Sequence, residues 1–314
     1  MIFDEPITIV ALARLAKRAL SQRTKPAMSA TARLLLYARL TRLDKPIGTL
    51  LLVWPTLTAL WIAAEGRPTA LLVAIFTLGT FLMRSAGCAV NDVIDRDLDV
   101  HVKRTAQRVV TSGHVGPVEG VLVGAALAGA SALLLLPLNL VTFFYAVVAL
   151  LVAVSYPLFK RFFPMPQAWL GVAFSFGIPM AFAAVQGGVP LLGWLIFIGN
   201  MFWVVAYDTE YAMVDRDDDL RIGIHSSAIL FGRADVAAVM VCYVVHLAVL
   251  AALGPRIGAG WAYYAGLGAA GVIALYHYTL IRTRERNGCF RAFLHNQWLG
   301  LAIFAGVVVD SALR

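Results

Sequence analysis

Apolar residues run along this chain in stretches of roughly 20, separated by short polar segments. Nine such stretches predict membrane-spanning helices, at roughly 46–64, 69–90, 118–137, 139–157, 167–185, 190–207, 234–253, 258–281 and 293–312. A helical span needs about 20 residues at a rise of about 1.5 Å each. No period-two alternation with aromatic girdles appears, which excludes a β-barrel reading. The pattern predicts an all-α, polytopic membrane protein with nine transmembrane helices.

Composition agrees with this pattern. Of the 314 residues 60% are hydrophobic and 14% charged, against about 45–50% and about 25% in soluble domains. The formal net charge is +8, and its distribution sets the predicted orientation. With the N-terminus cytoplasmic, all but four of the 26 Lys and Arg residues fall on the inner side; Arg67, Arg256 and Arg314 lie outside and Arg84 within a span. That asymmetry obeys the positive-inside rule. The charge therefore faces anionic lipid, and nothing resembles a nucleic-acid module. Cys88, Cys242 and Cys289 have neither metal-ligand spacing nor a disulfide framework.

Residues 1–40 form a basic N-terminal extension, distinct from a membrane domain at 41–314. Segment 7–20 reads either as an amphipathic helix on the inner surface or as disordered. Asp4 and Glu5 replace the basic start of a signal or transit peptide, which tilts the localisation to a bacterial inner membrane.

Ten of the 18 carboxylates lie in two short stretches, Asn91–Asp99 and Tyr207–Asp219, each at the cytoplasmic end of a span. The offset of four helices between them hints at two four-helix halves and a ninth helix. On a helix, Asp92, Asp95 and Asp99 share one face, with Asn91 beside them. Asp208, Tyr211, Asp215 and Asp219 form a second stripe. Stacked like charges repel unless a cation neutralises them, and Mg²⁺ is held by one or two carboxylates plus substrate phosphates. Two such stripes suit a pair of Mg²⁺ ions gripping a diphosphate. Asp97, Asp217, Asp218 and Glu210 lie off the stripes and are expected to be solvated or supporting groups.

Basic residues follow both clusters: Lys103, Arg104 and Arg108 after the first, Arg221 and His225 after the second, with Lys160 and Arg161 on the loop between. A diphosphate leaving group needs such cations, although the topology rule alone also accounts for each of them. Arg84 sits about two turns inside the second span, seven residues before Asn91 and on its face. An intramembrane charge marks function by default. It would bind an anion, either the diphosphate or the carboxylate of an aromatic acid; the alternative is a buried structural partner such as a helix-end carbonyl.

These residues resemble the UbiA-type intramembrane prenyltransferases. N-D-V-I-D-R-D-L-D matches the first aspartate signature of that family, and Y-D-T-E-Y-A-M-V-D-R-D-D-D the second motif of its 4-hydroxybenzoate branch. The likeness continues through R-L-D-K-P-I-G-T (42–49), M-R-S-A-G-C (83–88), H-V-K-R-T (101–105), S-Y-P-L-F-K-R (155–161) and S-A-I-L-F-G (227–232). His225, Arg221 and Val109 depart from the common lysine, lysine and proline at their positions.

The resemblance implies spans around a central cavity open to lipid, and Mg²⁺-dependent transfer of a polyprenyl group from polyprenyl diphosphate to C3 of 4-hydroxybenzoate, for ubiquinone. On that reading Asp92, Asp95, Asp99, Asp208, Asp215 and Asp219, with Asn91, hold the metal. Lys103, Arg104, Tyr156, Lys160, Arg161 and Arg221 bind the diphosphate, and Arg42, Arg84 and Tyr211 the aromatic acceptor. Other acceptors known for the family, such as homogentisate, are rivals within the same fold. A secondary transporter is a rival of another class, but transport carboxylates lie near mid-membrane, not at helix ends.

Overall fold

The computed structural model describes residues 29–159 and 162–314, and every regular element among them is helical. The segment at 7–20, Lys160 and Arg161 lie outside the described residues. Thirteen α-helices follow in order: α1 (Ala30–Leu40), α2 (Ile47–Ala63), α3 (Ala70–Ile94), α4 (Arg96–Asp99), α5 (Pro117–Leu133), α6 (Leu140–Phe159), α7 (Pro166–Ser175), α8 (Gly177–Gln186), α9 (Leu191–Ile222), α10 (Ser227–Phe231), α11 (Asp235–Leu253), α12 (Trp261–Ile281) and α13 (Arg286–Leu313). In lipid the backbone must satisfy its own hydrogen bonds, so apolar segments of this length become helices.

All nine predicted stretches are helical, but they differ in length. Among the described residues, seven helical segments are long and apolar enough to cross a membrane: α3, α6, α7 with α8, α9, the run from α10 through α11, α12 and α13. The apolar helices α2 and α5 have 17 residues each, or about 26 Å of rise against a hydrocarbon core of about 30 Å. The fifth predicted span is broken at Phe176 (φ −64°, ψ −20°). Pro179 has no N–H for the Ser175 carbonyl one turn back, which removes a helical hydrogen bond at the break. The sixth span runs to Ile222, well past the predicted end at 207. Helix α9 has 32 residues, about 48 Å, so the second acidic motif is one unbroken helix.

Helix α9 is the central post. It packs against α7, α11, α13, α8 and α2, and buries Phe197, Asn200, Trp203, Val204 and Tyr207 along its length. Helices α12 and α13 form the most extensive pairing, made possible where Gly266 meets Gly306: a Cβ on Gly306 would stand 3.0 Å from the Gly266 Cα. Helix α5 lies along the outside of α3, and α6 along α7. Large apolar side chains point outward from this bundle, among them Leu122 and Leu133 of α5 and Phe144 and Leu151 of α6. That is the exterior of a multi-pass membrane protein.

Away from the cavity, α9, α11, α12 and α13 are tied by a buried polar network. Asn296 accepts from Trp203 Nε1 and from the Tyr243 hydroxyl, both at 2.9 Å, and donates to Glu210 Oε2 at 2.8 Å. Tyr243 also lies 2.9 Å from Glu210 Oε1 and from His277 Nδ1. Glu210 is fully buried (0% exposed), which corrects the expectation that it would be solvated or support the stripe. It points to the opposite side of α9, where Tyr243 and Asn296 donate to it. Asp218 is likewise buried, paired with Arg286 at 2.8 Å, whereas Asp97 and Asp217 are exposed as expected.

Candidate active site

The two acidic motifs meet at one end of a cavity of about 1390 Å³. Its polar end is lined by Asn91 and Asp92 from α3, Asp208 and Tyr211 from α9, and Arg104 and Arg108 from the segment after α4. The rest is mostly apolar, with Leu134, Leu138, Val147, Leu150 and Met180 on its walls. Helices α3 and α6 touch only thinly, and residues of α5 and α6 line the cavity beside that seam.

The first motif departs from a single continuous helix. Helix α3 ends at Ile94, Asp95 caps it (φ −89°, ψ 0°), and α4 restarts at Arg96. Hydrogen bonds from the Leu98 and Asp99 amides to the Asp95 carbonyl, at 2.9 and 2.8 Å, keep the helical sense across the break. The stripe therefore survives, with Asp92, Asp95 and Asp99 only 1%, 4% and 6% exposed. Asp208 and Asp215 are buried on α9 and Asp219 is half-buried.

Arginines hold these acids. Asp92 Oδ1 accepts from Arg42 at 2.8 Å and lies 3.3 Å from Arg108, which also donates to Asp99 Oδ2 at 2.7 Å. Arg104 reaches across to the second motif, with Nε 3.2 and 3.1 Å from the two oxygens of Asp215 and Nη2 2.5 Å from one of them. Its guanidinium carbon lies 4.3 Å from the centre of the Tyr211 ring. Burial pushes the Asp99 carboxyl above the usual range; Arg108 opposes that shift and the neighbouring Asp95 charge adds to it. Burial works against the Arg108 charge, yet Asp99 and Asp92 outweigh it and raise its pKa. Arg42 adopts a left-handed backbone (φ 58°) just beyond α1, a strained conformation of the kind that gathers at functional sites.

Of the predicted acceptor residues, Arg42, Arg84 and Tyr211 all line the cavity. Of the predicted diphosphate residues, Arg104 and Tyr156 line it, Lys103 is exposed, and Arg221 lies 3.7 Å from Asp218. Asp95, Asp99, Asp215 and Asp219 are not among the lining residues. Two cations that served only to orient the chain, Arg39 and Lys45, also line the cavity. The signal for Lys45 was its place in the R-L-D-K-P-I-G-T block. Arg108, noted only as one of several basic residues, joins two acids of the first stripe.

Among the described residues no three Asp, Glu, His or Cys side chains converge into a metal cluster of their own. The donor chemistry nevertheless fits Mg²⁺, which takes few protein ligands and fills its shell with water and phosphate oxygens. Asp92 Oδ2 is buried without a hydrogen-bond partner among the described residues, a carboxylate oxygen available to a cation.

Residues 52–301 match the UbiA prenyltransferase family model. The chain belongs to the UbiA prenyltransferase family. A 4-hydroxybenzoate octaprenyltransferase of Burkholderia vietnamiensis is 63% identical over 276 residues, covering 88% of this chain and 95% of the relative. One of Cupriavidus pinatubonensis is 61% identical over 282 residues, covering 90% and 99%. Among solved structures, the apo UbiA homologue of Aeropyrum pernix K1 superposes with a TM-score of 0.69 at 24% identity, covering 82% of this chain and 97% of that one. A UbiA homologue of Archaeoglobus fulgidus bound to GPP and Mg²⁺ gives a TM-score of 0.63 at 16% identity, covering 87% and 99%. These likenesses establish the shared UbiA fold.

Proposed function

We propose that this chain is a 4-hydroxybenzoate polyprenyltransferase: with Mg²⁺, it moves the prenyl group of a polyprenyl diphosphate onto C3 of 4-hydroxybenzoate. The observation that carries this reading is that Asp92 and Asp208, from separate helices, line the polar end of one cavity whose remaining walls are mostly apolar. The close relatives carry that enzyme name, and a more distant homologue binds a prenyl diphosphate with the metal. Octaprenyl diphosphate is the donor their names point to. The arginine-rich inner loops support an inner-membrane placement with the acidic helix ends cytoplasmic.

Asp92, Asp95 and Asp99 on one side, and Asp208, Asp215 and Asp219 on the other, are the residues that would hold the metal. When bound, Mg²⁺ supplies positive charge that stabilises a departing diphosphate. Arg104 and Arg108 are already drawn to this end by the acids and are placed to neutralise phosphate oxygens as negative charge develops on them. Loss of the allylic carbon–oxygen bond leaves diphosphate and an allylic cation. The ring carbon ortho to the phenol then forms the new carbon–carbon bond, and its proton passes to a carboxylate or a diphosphate oxygen. The apolar walls keep water from that cation and leave the long tail beside the α5–α6 side of the cavity. Arg42 is occupied by Asp92, so Arg84 is the better placed of the two to receive the acceptor carboxylate.

Mass spectrometry of products tests the assignment, using the purified protein, geranyl diphosphate and a panel of 4-hydroxybenzoate, homogentisate and dihydroxynaphthoate. A 3-geranyl-4-hydroxybenzoate product is expected. Transfer confined to another acceptor would overturn the substrate assignment, and proteoliposome ion flux without any transfer would revive a transporter.

A further inference from the structure

Arg84 stands on α3 within the membrane and lines the cavity, yet among the described residues it has no carboxylate partner. Its Nη1 meets the thiol of Cys88, one turn further along the same helix. A thiol is a weak acceptor, so most of the five guanidinium donors remain open to an anion. The other side of the guanidinium rests on the first turn of α2. A Cβ at Gly48 would fall 2.3 Å from Arg84 Nη2, 2.8 Å from Nε and 2.9 Å from Cζ. The group is thus fixed between the Cys88 thiol and a bare backbone surface.

We propose that Gly48 is a specificity-determining position: by carrying no side chain it seats the Arg84 guanidinium at the depth where it binds the acceptor carboxylate. This rests on the reading of Arg84 given above and adds a residue that touches neither reacting atom. The clash from an added methyl falls on the far end of a flexible side chain, not on backbone. Gly48 is not among the left-handed glycines, and alanine is the better helix former. Gly48→Ala should therefore move the guanidinium while leaving α2 intact. A fork that recognises a carboxylate by two parallel hydrogen bonds tolerates little displacement.

The test is steady-state kinetics on Gly48→Ala, Arg84→Ala and the double variant, with geranyl diphosphate and 4-hydroxybenzoate, beside thermal unfolding of each in detergent. In Gly48→Ala the acceptor KM should rise about tenfold or more, with the donor KM held within about twofold. Its unfolding midpoint should match or exceed that of the parent. In the Arg84→Ala background the Gly48 substitution should have no further effect on acceptor KM, the signature of an action through that side chain. If Arg84→Ala raises the acceptor KM but Gly48→Ala does not, the inference fails and the carboxylate reading stands. A Gly48 effect that persists without Arg84, or that comes with a lowered unfolding midpoint, overturns the inference as well. An unchanged acceptor KM in Arg84→Ala removes both.

Discussion

Replacing Arg104 by lysine keeps the positive charge but removes the fork that joins the segment after the first motif to the second. Three N–H···O contacts between 2.5 and 3.2 Å tie it to Asp215, and its guanidinium lies over the Tyr211 ring. An ammonium keeps the charge attraction and one hydrogen bond. It loses at least one further bond to a charged partner, about 1.5–3 kcal/mol, and a stacked guanidinium contact, about 0.5–2 kcal/mol. The Arg104 side chain is 29% exposed, so solvent screening favours the low end of these ranges. The total of about 2 kcal/mol corresponds to roughly a 30-fold loss. On the proposed reading it should appear in kcat/KM for the prenyl diphosphate, the substrate that Arg104 and an ordered Asp215 would serve. The assay is initial-rate product formation in detergent at saturating 4-hydroxybenzoate, with thermal unfolding to confirm that the variant is folded. A folded Arg104→Lys enzyme within about threefold of the parent would refute the idea that the fork, rather than the charge alone, organises this end.

Other outcomes follow from the same geometry. Asn296→Ala strips partners from Trp203, Tyr243 and Glu210 at once; it should cost about 3 kcal/mol or more and lower the unfolding midpoint by roughly 5–10 °C. An unchanged midpoint would show that the buried network contributes nothing to stability. Treatment with EDTA should abolish prenyl transfer and added Mg²⁺ should restore it; full activity in excess chelator would exclude a dissociable metal requirement. Replacement of the exposed Asp97 by Ala should leave the transfer rate within about twofold of the parent, and a large loss would mean that the burial pattern misassigns the stripe.

Much of this arrangement was legible in the sequence, because lipid allows apolar segments only one common backbone solution. The stripes were readable for a related reason. The spacing of Asp92, Asp95 and Asp99 places them on one face even across the break at Asp95, since the Asp95 carbonyl continues the turn. Other features depend on partners distant in the chain. Hydropathy ends a span where charges begin, yet α9 continues for another four turns past 207, stabilised by packing against α10, α11 and α13. Glu210 lies off the second stripe, where a solvated or supporting acid is expected. Its burial follows from the rotation of α9 and from Tyr243 and Asn296 on other helices. Pairings such as Arg104 with Asp215, 111 positions away, are set by the irregular segment after α4, which carries no periodic signal. The role of Gly48 emerges only when α2 and α3 are seen in contact.

The most direct measurement is equilibrium binding of a non-reacting prenyl thiolodiphosphate to the parent protein, Asp92→Asn and Asp208→Asn, with and without Mg²⁺. If the two acidic helix ends act together on one metal-bound diphosphate, the parent should bind tightly only with Mg²⁺, and each single substitution should remove that dependence. Equal, metal-independent binding by all three proteins would contradict the account.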